Sequence, residues 1–156
     1  ICAAGRHSIL LFGPPGVGKT MMAQALAKES GRKVFTIRKN MPDGEFVKFI
    51  KDSFENARKE DSAIVLLDDM DKFANEDSEH CDAEEYVTVQ AEIDKCKGRE
   101  ILVIATVNDI YCLPKSLLRA GRFDEQIEMK VPKGDDAIKI IEFYLKNKSQ
   151  ITSRKF

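Results

Sequence analysis

Three short runs in this chain are almost pure Ile, Leu and Val: residues 8–12 (Ser-Ile-Leu-Leu-Phe), 63–67 (Ala-Ile-Val-Leu-Leu) and 101–106 (Ile-Leu-Val-Ile-Ala-Thr). A strand with one wet face alternates apolar and polar residues, so a run without alternation needs cover on both faces. The chain carries that cover as amphipathic helix patterns. Residues 19–29 are rich in Ala, Met and Leu and stop before Gly31, a suitable residue to end a helix. Residues 45–59 place Phe46, Phe49, Ile50, Phe54 and Ala57 at spacings of three and four, which makes one apolar face. Residues 83–97 end before Gly98, with Lys95 and Lys97 in the last turn where the helix dipole favours cations. Residues 135–147 open with two acids and carry Ile138, Ile141, Phe143 and Leu145. Two further runs, 33–37 and 126–130, complete five strands. Strands alternating with helices predict βαβ units: an α/β chain with a five-stranded parallel sheet between helical layers.

Length and charge narrow the class. The 156 residues suit one domain with a sizeable core. Hydrophobic residues at 43% and charged residues at 33% exclude a disordered chain. A net charge of −1 gives no support for nucleic-acid binding, which calls for a basic surface. No apolar run approaches the roughly 18 residues of a membrane span. The chain opens on Ile1 without a secretory pattern and without an initiator Met, and is expected to be a piece of a longer protein. Cys2, Cys81, Cys96 and Cys112 form no Cys-x-x-Cys pair, and His7 and His80 are the only histidines. That argues against a zinc cluster and for free thiols in a reducing compartment, hence a cytoplasmic location or the cytosolic face of a membrane.

Between the first strand and the first helix stands Gly13-Pro14-Pro15-Gly16-Val17-Gly18-Lys19-Thr20, which satisfies G-x-x-x-x-G-K-[ST] at every fixed position. Gly16 and Gly18 let the backbone curl so that successive N–H groups converge on phosphate oxygens. The helix that follows aims its positive end at the same anion. Lys19 reaches the β- and γ-phosphates as a mobile charge, and the Thr20 hydroxyl is a Mg²⁺ ligand. Met21, next in line, is counted with the loop as a nucleotide contact, although Met21 and Met22 as a pair read as packing residues.

A phosphate loop of this kind needs a metal-holding acid at the end of another buried strand. Residues 63–67 run straight into Asp68 and Asp69. A carboxylate leaving a buried strand is costly unless it serves a cation. Asp68 is the expected Mg²⁺ partner, directly or through water. Asp69 is then placed to orient or deprotonate an attacking water.

A third signature follows. Ile104-Ala105-Thr106-Val107-Asn108 precedes Leu113-Pro114-Lys115-Ser116-Leu117-Leu118-Arg119-Ala120-Gly121-Arg122-Phe123-Asp124. With the two preceding motifs, this resembles the AAA branch of the AAA+ ATPases, most of all the AAA module of the FtsH-type membrane-anchored zinc proteases, whose helix before the acidic strand is similar to Ser53-Phe54-Glu55-Asn56-Ala57-Arg58-Lys59. The resemblance runs from about residue 8 to residue 146. It implies a P-loop NTPase sheet of order 5-1-4-3-2, with residues 1–131 as the large nucleotide-binding subdomain and 132–156 opening a helical lid. It implies ATP or ADP with Mg²⁺ as cofactors. Asn108 would sense the γ-phosphate, and Arg119 and Arg122 would be arginine fingers acting in trans, with both guanidiniums facing outward. It also implies a self-assembled ring, usually a hexamer, that remodels or unfolds a protein substrate.

The chain departs from the family pattern in places. The family has Asp-Glu after the third strand where this chain has Asp68-Asp69, so the second carboxylate is about 1.5 Å shorter in reach. That predicts either slow hydrolysis or a site that closes more tightly. The substrate-threading loop usually carries an aromatic-hydrophobic-Gly triplet. Arg38-Lys39-Asn40-Met41-Pro42-Asp43-Gly44 has no aromatic. No His-Glu-x-x-His occurs, so a protease centre would have to lie outside these residues. A slowly or non-hydrolysing regulatory module is the alternative reading. The acids Glu76, Asp77, Glu79, Asp82, Glu84 and Glu85, around His80 and Cys81, read as a solvated loop entering a helix rather than a metal site.

Overall fold

A computed structural model of the chain describes residues 7–74, 83–119, 121–123 and 125–152. Five parallel strands form one sheet: β1 (Ser8–Phe12), β2 (Lys33–Ile37), β3 (Ala63–Leu67), β4 (Ile101–Val107) and β5 (Glu125–Glu128). Their order across the sheet is β2-β3-β4-β1-β5, the expected order read from the other edge. Four α-helices connect or follow them: α1 (Lys19–Glu29), α2 (Asp43–Arg58), α3 (Ala83–Lys95) and α4 (Asp135–Thr152). This is the α/β architecture of the P-loop NTPases.

The unbroken apolar runs explain the layering. Along β3, Ile64 and Leu66 point to one face and join Leu11, Ile104, Ala23 and Ala27. Ala63, Val65 and Leu67 point to the other and join Leu10, Val103 and Ala105 beneath α2 and α3. All five β3 side chains are buried. On the α1 face the helix buries only Lys19, Ala23 and Ala27, and the two small alanines, four apart, bring its axis close to the sheet. On the other face Phe46, Phe54 and Phe73 are fully buried, and the Phe46 and Phe73 rings meet edge to face at 5.1 Å.

Boundaries differ from the periodicity in instructive ways. The last strand is Glu125–Glu128 rather than 126–130, because an edge strand pairs on one side only and its mostly exposed side chains leave little apolar pattern to read. Helix α2 starts two residues early, just after Pro42, whose missing N–H costs nothing at a helix entrance. Helix α3 stops at Lys95, and Gly98 follows at a φ of 78°. The first helix and the first three strands fall where the sequence put them.

At Gly13 the constraint is contact as well as conformation. Its φ is 150°, and a Cβ there would lie 2.1 Å from the Met129 carbonyl oxygen. The Met129 N–H donates to the Phe12 carbonyl at 2.7 Å, so the end of β1 and the exit of β5 are locked backbone to backbone.

The aromatic cluster under α2 gives a direct test of the core. Phe46→Ala should lower the unfolding free energy by about 3–5 kcal/mol, with both the lost burial and the cavity contributing. Urea unfolding followed by circular dichroism reads this, and a loss below about 1 kcal/mol would contradict the packing described.

Candidate functional site

Ligands of open parallel sheets bind beyond the carboxyl ends of the strands. Three neighbouring strands, β3, β4 and β1, deliver Asp68-Asp69, Asn108 and the 13–20 loop to that edge. Sequence positions 40 and more residues apart therefore meet in one place.

The loop has the expected curl. Gly16 and Gly18 hold φ of 82° and 91°, and Gly18 is the N-terminal cap of α1 in the left-handed conformation. Pro14, Pro15 and Gly16 are exposed along its rim. Lys19 is almost entirely buried, and its Nζ donates to the Gly13 and Pro14 carbonyls, both at 2.8 Å. Burial lowers its pKa, and the carboxylates of Asp71, Asp69 and Asp68 partly offset this. The cation is held at the centre of the loop by these two carbonyls.

Asp68 is fully buried and fully engaged. Its Oδ1 accepts from Thr20 Oγ1 at 2.9 Å and from Thr106 Oγ1 at 2.7 Å. Its Oδ2 accepts from the Arg38 guanidinium. Burial pushes its pKa up, but the bonds from Arg38, Thr106 and Thr20 outweigh it, so the carboxyl stays below the usual range. The two residues expected to hold a metal, Thr20 and Asp68, thus face each other with oxygens in contact. That donor set, a hydroxyl beside an ionised carboxylate, fits Mg²⁺.

Asp69 is the only non-glycine residue among those described with a positive φ, 52°. Its N–H donates to Thr106 Oγ1 at 2.9 Å, and its carboxylate lies 3.5 Å from Lys72 Nζ. Asn108 is exposed at the end of β4, and its N–H donates to Asp71 Oδ2 at 3.2 Å. The other Asp71 oxygen is buried without a partner.

The two candidate arginine fingers are not brought to this edge. The Arg122 carbonyl accepts from the hydroxyl of Ser8, the first residue of β1. The turn therefore sits at the opposite end of the strand from the loop, about 13 Å away along β1. Arg119 is exposed there. Arg122 corrects the expectation that both guanidiniums face outward. Its Nη2 and Nε bond Asp94 at 2.8 and 3.3 Å, and Nη1 donates to the Ser116 carbonyl at 2.8 Å. An acid one helical layer away outcompetes solvent for the fork. Bonding to Arg122 in turn holds the Asp94 carboxyl below its usual range.

Other expectations are revised or fall outside view. Met21 and Met22 are exposed at 61% and 46% and do not pack in the core. With Met129, Phe143 and Tyr144 they line a cavity of about 580 Å³ that opens beside Gly16, Val17 and Gly18. Glu85 is not solvated: it is buried at the start of α3 and accepts from Lys39 at 3.1 Å. Glu76, Asp77, Glu79, His80, Cys81 and Asp82 lie outside the described residues, as do Cys2, Ala120 and Asp124. Among the described residues no helix is long and apolar enough to cross a membrane.

Sequence reading missed Arg38, Thr106 and Asp71. Signals were present for two of them. Thr106 is a hydroxyl in an otherwise apolar buried strand, and Arg38 is a charge one residue past the end of β2.

The buried carboxylate makes a pH prediction. The Asp68 pKa is depressed in the folded chain, so its contribution is present above about pH 4, the unfolded value, and is lost as pH falls through the lower folded value. Asp68→Asn should therefore be less stable than the parent at pH 6 and show a shallower loss between pH 5 and 3. Urea midpoints across that range read the slope, and parallel curves would show that Asp68 titrates as an ordinary carboxyl.

The loop, the acid-ended strand and the Asn-ended strand lie in the region where comparison with known families is decisive. Residues 9–131 match the AAA family, the ATPase family associated with various cellular activities. That match spans the five strands apart from Ser8 and includes Lys19, Thr20, Asp68, Asp69, Asn108, Arg119 and Arg122, and the chain belongs to the AAA family.

Proposed function

We propose that this chain is the ATP-hydrolysing part of a ring-forming AAA protein that remodels or unfolds protein substrates. One observation carries the reading. Lys19, Thr20, Asp68, Asp69 and Asn108 gather at one edge of the sheet, while the Arg119–Arg122 turn stands at the far end of β1. A phosphate site with its arginines one strand length away is half of a shared site. A neighbouring subunit in a ring would supply the other half.

In this reading the loop amides and Lys19 bind the phosphates. Thr20 and Asp68 would hold Mg²⁺, which when bound neutralises phosphate charge and polarises the phosphoryl group. Asp69 orients water and Asn108 contacts the γ-phosphate. The base fits the cavity by Met21, Met129, Phe143 and Tyr144, against the loop and faced by sulfur and aromatic groups. That would make residues 132–156 the beginning of a lid over the nucleotide, beyond a large subdomain of residues 1–131. Arg119, exposed, would serve the neighbour first, and Arg122 would join it after exchanging Asp94. The motif likeness to FtsH-type proteases makes the ATPase part of a metalloprotease a specific version of the same proposal. A cytoplasmic or membrane-face location goes with it.

One observation favours a slower, regulatory version. The short Asp69 carboxylate sits 3.5 Å from Lys72, an ion pair it would have to leave to address water.

Two outcomes test the proposal. Lys19→Ala should weaken ADP binding about 10- to 100-fold, the cost of one charge-assisted contact. Calorimetry showing unchanged affinity would remove the phosphate-loop assignment. In the full-length protein, Arg119→Ala should lower hydrolysis on the order of 10³-fold, and mixing it with the Lys19→Ala protein should restore part of the rate. Full hydrolysis by a demonstrated monomer carrying Arg119→Ala and Arg122→Ala would end the ring mechanism.

A further inference from the structure

Strand β2 lies at the sheet edge beside β3, with Ile37 opposite Leu67. The next residues, Arg38 and Asp68, therefore leave the sheet side by side. The Asp68 N–H donates to the Ile37 carbonyl at 2.9 Å and fixes that register to its end. The Arg38 guanidinium then takes Asp68 Oδ2, the oxygen that Thr20 and Thr106 leave open.

The two partners differ in surroundings. The Asp68 side chain is wholly buried, whereas that of Arg38 is 52% exposed. A buried carboxylate needs a cation, and a long, half-exposed side chain can supply one and still withdraw into water. A second cation arriving on the same carboxylate would be repelled by the first. Metal and guanidinium therefore compete for one seat.

We propose that Arg38 is a built-in counter-ion of the metal seat, which Mg²⁺ must displace when it binds with nucleotide. This rests on the reading of the edge as a nucleotide site. While Arg38 is in place, the charge of Asp68 is cancelled, so phosphates enter without metal at little electrostatic cost. When metal binds, part of its gain goes to moving Arg38. Both effects flatten the dependence of nucleotide affinity on Mg²⁺. They also make Arg38 a positioning residue: it acts through Asp68 and does not touch the phosphates.

The quantity that isolates Arg38 is the ratio of ADP affinities measured with Mg²⁺ and with a chelator. Calorimetry on the full-length protein should show that Arg38→Gln raises this ratio about tenfold, the combined effect of two part-exposed charge terms. Metal-free binding should weaken and metal-bound binding should strengthen. Arg38→Lys, which keeps the charge, should return the ratio toward the parent value. In the unaltered protein the Arg38 side-chain Nε–H resonance should move when Mg²⁺ is added to the ADP-saturated form. That measurement stands even if Arg38→Gln does not fold. An unchanged ratio in Arg38→Gln, a Lys variant that behaves as the Gln variant, or an unmoved resonance would each overturn the proposal while leaving nucleotide binding intact. Absence of ADP binding by the unaltered protein under both conditions would instead remove the nucleotide reading, and this inference with it.

Discussion

The carboxylate of Asp68 organises this molecule. It is a charge with no exposed surface, placed where three strands end, and it persists only because three side chains from three other elements donate to it. Thr20 comes from α1, Thr106 from β4 and Arg38 from the end of β2. Satisfying that one group fixes the first turn of α1 over the sheet. It sets β4 against β3 at their carboxyl ends and ties the edge strand to the site. Thr106 extends the network by accepting the Asp69 N–H, so a single hydroxyl aligns both acids. Leaving any donor out would strand part of a buried charge, a cost of several kcal/mol in general.

Sheet order turns this local network into a site. In the order β2-β3-β4-β1-β5 the strand carrying the phosphate loop lies next to the strand ending in Asn108, which lies next to the strand ending in Asp68. The chain reaches the opposite edge only by the crossing between β4 and β5, and the arginine turn lies on that crossing. Functional groups are thereby sorted by strand end, with Asp68, Asp69, Asn108 and the 13–20 loop at the carboxyl ends and Arg119 and Arg122 near the amino end of β1. Within the turn, Arg122 is held by Asp94 and the Ser116 carbonyl. Asp94 is itself 38% exposed, so the pair is a weak hold.

How much was legible follows from the kind of pattern each element leaves. Strands 8–12 and 63–67 announce themselves because their Ile, Leu and Val runs show no polar alternation, and the first helix is bounded by Lys19 and Gly31. Strand β5 leaves no such pattern, because its edge position exposes most of its side chains. The phosphate loop was fully readable, since its chemistry lies in consecutive residues. The partners of Asp68 were not, because Arg38 and Thr106 are set by strand register rather than by spacing along the chain. Ile37 lies opposite Leu67 only after β2 and β3 have paired. The Arg122 partner is hidden for the same reason: Asp94 is 28 residues away, and nothing along the chain marks the two as neighbours.

Asp at position 69 has a backbone consequence as well as a short side chain. Residue 69 is held at a φ of 52° and ψ of 49°, a region that costs most side chains energy and that Asp and Asn tolerate best. Its conformation is imposed from both sides. The N–H is tied to Thr106, and the carbonyl accepts from the Lys72 N–H at 3.0 Å to start a short helical turn. Asp at this position therefore relaxes the backbone while it keeps the carboxylate close to the chain. The same turn brings Asp71 under Asn108, so the geometry of the β3 exit is transmitted to the end of β4. A longer side chain at 69 would reach further toward water but would sit less comfortably in the left-handed turn. Stability of that turn and reach of the carboxylate are thus opposed at one residue, and the chain has settled on the former.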